Sequence, residues 1–175
     1  AIDRAGIEAL EGTATKPLVV QSPITISAAA GDAVIEVAPP TTPGLRVHYS
    51  VEYPGSPIPP QQYGVAVTPQ RYREEVAAAR TFLLEEEARK LQQDGVGLTV
   101  TTQDLIVFGE NGPIENELRW PNECARHKIL DIIGDLFLSG RPFHGDIIAH
   151  RSGHGLNAKV LAAVLEAETR MPGVH

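Results

Sequence analysis

Polar and apolar residues alternate with a period of two through much of the first third of the chain. Five short runs show this alternation or are rich in β-branched residues: 18–20, 24–26, 33–37, 45–53 and 63–67. A period of two is typical of half-buried β-strands, because successive side chains on a strand point to opposite faces of the sheet. Pro- and Gly-rich segments separate the later runs. The first third therefore predicts a sheet.

Helical patterns dominate the remainder. Three helices and two further strands are predicted: helices over 69–91, 121–138 and 155–170, and strands over 105–108 and 143–150. The first of these helices is expected to break or bend near 80–82. Because strands come first and helices mostly later, the pattern favours an α+β fold, with helices on one face of a largely antiparallel sheet.

The composition of the chain argues against several classes of protein. The chain has 175 residues and a net charge of −7, which favours one main domain and argues against a nucleic-acid or anionic-membrane surface. One cysteine, Cys124, excludes an internal disulfide framework and a Cys-rich zinc site, and is expected to pack rather than react. No apolar run is long enough for a transmembrane segment, no targeting motif stands out, and a cytoplasmic location is expected. The pattern of residues 1–12 predicts the end of a helix, and the sequence does not begin with methionine. We therefore expect this chain to be a piece of a longer protein.

A polar stripe on the second predicted helix is the first candidate for chemistry. His127, Asp131 and Asp135 stand at i, i+4 and i+8, which places them on one helix face. An imidazole and a carboxylate one turn apart can reach one zinc ion. The same spacing also arises by chance on a solvated face, and a buried, hydrogen-bonded histidine is a further alternative. Spacing alone does not distinguish these three interpretations.

A second candidate lies where the last predicted strand passes into the last helix. His154 follows a Gly-containing turn and would sit near a helix N-terminus, whose dipole disfavours a charged imidazole. A nearby carboxylate would offset that effect, and Asp135 is the expected partner. A histidine held by an aspartate can serve as a general acid near neutral pH. The alternative is a plain turn with an exposed histidine.

Two weaker candidates complete the set. His144, Asp146 and His150 share one face of the strand over 143–150, either as metal ligands or simply as residues of an exposed edge strand. Thr81 could donate a hydroxyl hydrogen bond, but it falls within a predicted helix, where a threonine is usually structural.

Three motifs occur together in register: ARTF at 79–82, RHKILDIIGDL at 126–136 and RSGHGLN at 151–157. With Asn111 and Leu118-Arg119 between them, they resemble the C-terminal half of UDP-3-O-acyl-N-acetylglucosamine deacetylase, the bacterial zinc hydrolase of lipid A biosynthesis. The resemblance implies a two-layer α+β sandwich over 13–170, the second of two similar domains.

The resemblance also implies roles for the site residues. His127 and Asp131 are similar to two of the family's three zinc ligands. His154 resembles the catalytic histidine, Asp135 its orienting partner, and Thr81 the hydroxyl that helps to stabilise the oxyanion. The family's third zinc ligand and general base come from an adjacent Glu-His pair in its first domain. This sequence has no Glu-His dipeptide, so the chain alone is expected to be inactive and to bind zinc weakly.

Substrate contacts follow from the same resemblance. Lys128 and Arg151 look like contacts to the UDP portion of UDP-3-O-acyl-N-acetylglucosamine. Phe82 opens a small insert, 82–107, that resembles the family's apolar passage for the acyl chain. The expected partner is the enzyme's N-terminal domain, and residues 171–175 are expected to be a tail. The alternative function is a non-catalytic module that binds UDP or acyl groups on the same fold.

Overall fold

The computed structural model describes residues 5–6 and 15–170. Nine strands are β1 (Leu18–Val19), β2 (Ile24–Ser27), β3 (Val34–Ala38), β4 (Leu45–Val51), β5 (Gln61–Val67), β6 (Thr81–Leu84), β7 (Leu105–Gly109), β8 (Gly112–Pro113) and β9 (Phe143–His150). The α-helices are α1 (Pro69–Arg71), α2 (Glu85–Gln93), α3 (Glu123–Phe137) and α4 (His154–Thr169), and a π-helix (Tyr72–Val76) follows α1. Apart from residues 5–6, the helix end expected over 1–12 lies outside the described residues, as does the expected tail at 171–175.

The main sheet has six strands in the order β2-β3-β9-β4-β5, with β1 beside β9. Three of its pairings are antiparallel, whereas β4 and β1 run parallel to β9. The expectation of an edge strand over 143–150 is wrong, because β9 has neighbours on both sides. Asp146 on this strand accepts from the guanidinium of Arg46 at 2.7 Å, so its charge is paired across the sheet.

Helices α3 and α4 pack side by side against one face of this sheet, which gives the expected two-layer α+β architecture. The alternating strand residues and one stripe of each helix form the core, with several side chains fully buried: Ile35, Val37, Tyr49, Ile147, Ile129, Ile132 and Val160. Burying apolar area of this kind is the main favourable contribution to folding. The core holds α3 and α4 in place, and with them the candidate histidines.

A second, three-stranded sheet contains part of the segment over which the sequence predicts a helix, broken or bent near 80–82. Thr81–Leu84 is strand β6, parallel to β7, and α2 crosses between them. The expectation of one helix over 69–91 is therefore wrong, and the strand begins within 80–82, where the sequence predicts a break or bend. Pairing of β6 with β7 supplies backbone hydrogen bonds that outweigh the local helix propensity of the sequence. Within the described ranges, no helix has the length and apolar character needed to cross a membrane.

Candidate active site

Six of the eight site residues that the family resemblance implies line one cavity of about 620 Å³: Thr81, Phe82, His127, Lys128, Asp131 and His154. They come from β6, α3 and the first turn of α4, elements that lie far apart in sequence. The remaining two, Asp135 and Arg151, each contact a residue that lines the cavity. A concave site of this size with several convergent polar groups is typical of small-molecule binding.

The imidazole of His127 is oriented by the backbone. Its Nδ1 lies 3.1 Å from the carbonyl oxygen of Ala79. A carbonyl can only accept, so Nδ1 carries a proton and, in the neutral ring, Nε2 presents a lone pair. That nitrogen lies 3.4 Å from Oδ1 of Asp131. Two acceptor atoms facing each other in this way repel unless a cation lies between them.

The separation of these two atoms fits a shared metal ion. Zn–N bonds of about 2.0–2.1 Å and Zn–O bonds of about 2.0–2.2 Å at a tetrahedral angle place two ligand atoms roughly 3.3–3.5 Å apart. The other carboxylate oxygen of Asp131 accepts from Nζ of Lys128 at 2.6 Å. Both His127 and Asp131 thus have outer partners, as metal ligands usually do. Within residues 5–6 and 15–170, no cluster of three or more His, Cys, Asp or Glu is arranged to hold a metal.

His154 is held by a different kind of partner. Its Nδ1 lies 2.8 Å from Oδ2 of Asp135, the contact that the sequence suggested. Asn157 donates to the same oxygen at 2.8 Å and accepts from the Ser152 hydroxyl at 3.2 Å. Tyr49 donates to the Ser152 carbonyl, and burial raises the pKa of its phenol far above the ordinary value. Asn157, Ser152 and Tyr49 are buried, so Asp135 is anchored from the core.

The turn before His154 carries Arg151 at a positive φ of 51°, a conformation that non-Gly residues rarely adopt. Its guanidinium donates to Asp32 at 3.1 Å and lies 5.1 Å from the ring centroid of Tyr53, which lines the cavity. Arg151 therefore contacts Tyr53 but does not itself line the cavity. Gly153 is the N-cap residue of α4, which places His154 in the first helical turn.

One wall of the cavity is β6. Thr81 and Phe82 line the cavity from the strand, so the expectation that Thr81 lies on a helix is wrong. The ring of Phe82 meets the His127 ring edge to face, with centroids 6.3 Å apart. A second, mostly apolar cavity of about 280 Å³ lies between β6, α2 and β7. Leu83 lines both cavities, so they adjoin at β6.

Sequence reasoning missed three features of this site. Tyr53 and Glu87 line the cavity from segments without a motif. The ion pair of Arg80 and Glu123 is buried next to the start of β6, and the ARTF motif, which contains Arg80, is the one sequence signal for it. Asn157 lies within the RSGHGLN motif, but no local sequence pattern indicates its contact with Asp135.

The expectation for Cys124 agrees with its environment. The thiol lies on α3 with no exposed surface, and burial raises its pKa to about 12. A thiol that stays protonated at neutral pH is a poor nucleophile. Cys124 is therefore part of the packing and not of the chemistry.

Comparison with known proteins places these features in a family. Residues 1–166 match the family model described as UDP-3-O-acyl N-acetylglycosamine deacetylase (LpxC). Curated proteins named UDP-3-O-acyl-N-acetylglucosamine deacetylase match as well. The one from Leptospira biflexa serovar Patoc is 32% identical over 168 residues, which are 96% of this chain and 54% of that protein. The one from Syntrophus aciditrophicus is 34% identical over 154 residues, 87% of this chain and 48% of that protein.

A relative from Chlamydia abortus with the same name is 40% identical over 124 residues, 70% of this chain and 44% of that protein. The chain thus spans about half the length of the curated relatives it matches. The family match covers α3, the β6 segment, the turn before α4 and the start of α4, which together carry all eight site residues that the resemblance implies. The chain belongs to the UDP-3-O-acyl N-acetylglycosamine deacetylase family.

Proposed function

We propose that this chain forms part of a zinc-dependent deacetylase that hydrolyses the N-acetyl group of UDP-3-O-acyl-N-acetylglucosamine in bacterial lipid A biosynthesis. The observation that carries the proposal is the convergence of His127, Asp131 and His154 on one cavity, in a chain of this family. The full-length protein is this chain joined to the region that corresponds to the other half of its relatives.

His127 and Asp131 would hold the metal through Nε2 and Oδ1. Support comes from their 3.4 Å separation and from the partner that each has on its far side. Zinc, when bound, lowers the pKa of its water and polarises the acetamide carbonyl. Lys128, beside Asp131, keeps the carboxylate rotated so that Oδ1 faces His127.

His154 would act as the general acid. With its Nδ1–H donated to Asp135, the ring directs Nε2 away from that carboxylate. Protonation of Nε2 gives an imidazolium that Asp135 stabilises by its charge. Nε2 can then pass its proton to the departing amine of the sugar, and Asn157 keeps Asp135 in place during the transfer.

The cavity walls would bind the rest of the substrate. The hydroxyl of Thr81 is the candidate donor to the oxyanion that develops on the acetamide carbonyl. Lys128 at the cavity and Arg151 beside Tyr53 supply positive charge for a nucleotide diphosphate. The apolar cavity beside Leu83 is a suitable place for the acyl chain, since its lining is mostly aliphatic.

The remaining half of the full-length protein would supply the general base and a further metal ligand. This part of the proposal is supported by the chain's coverage of about half of each relative and by the incomplete ligand set of the described residues. His127, Asp131 and His154 would then form one side of a site between two domains.

The proposal is tested by a deacetylation assay on the zinc-loaded full-length protein, with release of acetate from UDP-3-O-acyl-N-acetylglucosamine as the readout. We expect turnover in the unchanged protein and losses of at least about 100-fold in His127→Ala, Asp131→Ala and His154→Ala. Glu166→Gln, on the far end of α4, is the matched control and should retain activity. Tight binding of the substrate without any turnover would contradict the proposal and favour a non-catalytic binding module.

A further inference from the structure

A single peptide group, the one that joins Ala79 to Arg80, is bonded to α3 on both sides. Its N–H donates to Oε1 of Glu123 at 3.0 Å, and its C=O accepts from Nδ1 of His127 at 3.1 Å. Glu123 and His127 are four residues apart, so they lie one turn apart on the same face of the helix. In a trans peptide the N–H and C=O point in opposite directions. Fixing the direction of the N–H therefore fixes that of the carbonyl.

The carboxylate of Glu123 is well suited to hold this N–H. It has no exposed surface, and it also accepts from Nε and Nη2 of Arg80 at 2.9 and 3.0 Å and from the backbone N–H of Arg119 at 2.6 Å. Burial alone would raise the pKa of Glu123, but these hydrogen bonds outweigh it and leave the pKa below the ordinary value. The acceptor is thus a fully bonded, ionised carboxylate.

The guanidinium of Arg80 is fixed on its other side as well. Its Nη1 donates to Oδ1 of Asn116 at 2.8 Å, and its Nη2 donates to the carbonyl of Glu117 at 2.7 Å. Both acceptors lie in the segment that leads into α3. Arg80 therefore ties the start of β6 to α3 and to the chain before it, which leaves the peptide group little freedom to rotate.

We propose that Glu123 is a positioning residue that sets the tautomer of His127 through the Ala79–Arg80 peptide group. With the carbonyl facing the ring, the imidazole proton stays on Nδ1. Nε2, which faces Asp131, then stays unprotonated. A reversed peptide would aim its N–H at Nδ1, move the ring proton to Nε2 and block the atom that a metal needs. The inference rests on the proposed function, because a bare Nε2 matters only if His127 is a ligand.

The test is the tautomer of His127 in the chain labelled with ¹⁵N-histidine. Long-range ¹H–¹⁵N spectra are recorded without metal or substrate, under conditions where the ring is neutral, and His127→Gln assigns the signal among the six histidines. Because neither zinc nor turnover enters the measurement, its outcome is independent of whether the deacetylase proposal holds. We expect the proton mainly on Nδ1 in the unchanged chain.

Two variants separate positioning from stability. Arg80→Lys weakens the ion pair but leaves the Glu123 acceptor, so the ratio of Nδ1–H to Nε2–H should stay within about two-fold. Arg80→Met combined with Glu123→Leu removes the acceptor and replaces the buried ion pair by apolar side chains, a change that often preserves stability. In this double variant the ratio should fall by about 3- to 10-fold, the effect of one hydrogen bond.

Three results of the tautomer measurement would overturn the proposal. One is a proton mainly on Nε2 in the unchanged chain. Another is an unchanged ratio in the folded double variant. The third is a ratio of Nδ1–H to Nε2–H that changes in parallel with the melting temperature, so that both fall in Arg80→Lys and both recover in the double variant. Hydrogen exchange of the residue-80 backbone amide is a further check that needs no double variant. The proposal expects slow exchange in both the unchanged chain and Arg80→Lys, and rapid exchange would contradict it.

Discussion

Two histidines face the same cavity, and the partner of Nδ1 distinguishes them. His127 has a side chain that is 14% exposed and donates to a neutral acceptor, the carbonyl of Ala79. His154 is 71% exposed and donates to a charged acceptor, the carboxylate of Asp135. A neutral acceptor orients an imidazole without favouring its protonation, which suits a metal ligand. A carboxylate favours the imidazolium, which suits a proton donor.

The groups that hold the two Nδ1 acceptors in place also differ in charge. Beneath His127, the buried ion pair of Arg80 and Glu123 holds a backbone peptide group. Beside His154, neutral groups hold the carboxylate, since Asn157 donates to Asp135 and accepts from Ser152. In the first region a charge pair positions a neutral acceptor, and in the second a neutral network positions a charged one. The chemistry of each histidine is therefore set by residues that do not line the cavity.

The largest effect is expected when the acceptor of His154 is made neutral like that of His127. Asp135→Asn keeps the shape of the side chain but removes the charge that stabilises the imidazolium. We expect kcat of the full-length protein to fall by about 10²- to 10⁴-fold with little change in KM, because proton transfer fails while binding persists. Steady-state kinetics on UDP-3-O-acyl-N-acetylglucosamine measure this. The control is Glu166→Gln, which removes an exposed carboxylate of α4. A fall of less than about two-fold in Asp135→Asn would show that the charge is not needed.

The next test addresses the support of His127 through stability. Glu123→Gln leaves a buried guanidinium without its counter-charge, so the free energy of unfolding at neutral pH should fall by about 3 kcal/mol. Glu168→Gln, which weakens the more exposed pair with Arg141, is the control and should cost less than about 1 kcal/mol. Urea denaturation of the chain measures both. Equal losses in the two variants would contradict a special role for the buried pair.

The same variant has a pH signature. The folded-state pKa of Glu123 lies below its ordinary value of 4.5. Its contribution to stability is therefore present above about pH 4.5 and is lost as the pH falls through the lowered folded-state pKa. The difference in unfolding free energy between the unchanged chain and Glu123→Gln should shrink on acidification below that value. A difference that grows in acid would have the wrong sign for an ionised carboxylate.

A smaller effect is expected at the second support. Asn157→Leu removes one hydrogen bond to Asp135, and kcat should fall about tenfold with KM nearly unchanged. Asn122→Leu is the control, since Asn122 bonds to Arg126 at the start of α3 and to no residue of the cavity. A drop in KM and kcat together, or a matching loss in the control, would indicate a general disturbance of the fold.

Local patterns predicted much of the fold and of the site. The alternation of 45–53 and the helical periodicity of 121–138 gave β4 and α3, because strand and helix periodicities repeat within a few residues. The stripe of His127, Asp131 and Asp135 followed from helix geometry alone. The contact of His154 with Asp135 was proposed from charge complementarity at a helix N-terminus, and the structure contains it.

Features that depend on distant pairing were missed. Thr81 was assigned to a helix because its neighbours favour helix, but β6 pairs with β7 more than twenty residues away. The position of β9 between β3 and β4 had no local signal either, so its polar residues looked like those of an edge strand. The acceptor for His127 is a backbone carbonyl, which every residue has. No sequence pattern identifies which carbonyl a side chain will meet.

The proposed site assigns metal binding to His127 and not to His154. The most direct measurement is the zinc affinity of the full-length protein, by competition with a chelator of known affinity, in His127→Ala and His154→Ala. We expect zinc binding to weaken by more than about 100-fold in His127→Ala and by less than about three-fold in His154→Ala, whose kcat nevertheless collapses. Retention of zinc by His127→Ala, or an equal loss of zinc in both variants, would contradict this assignment of the two histidines.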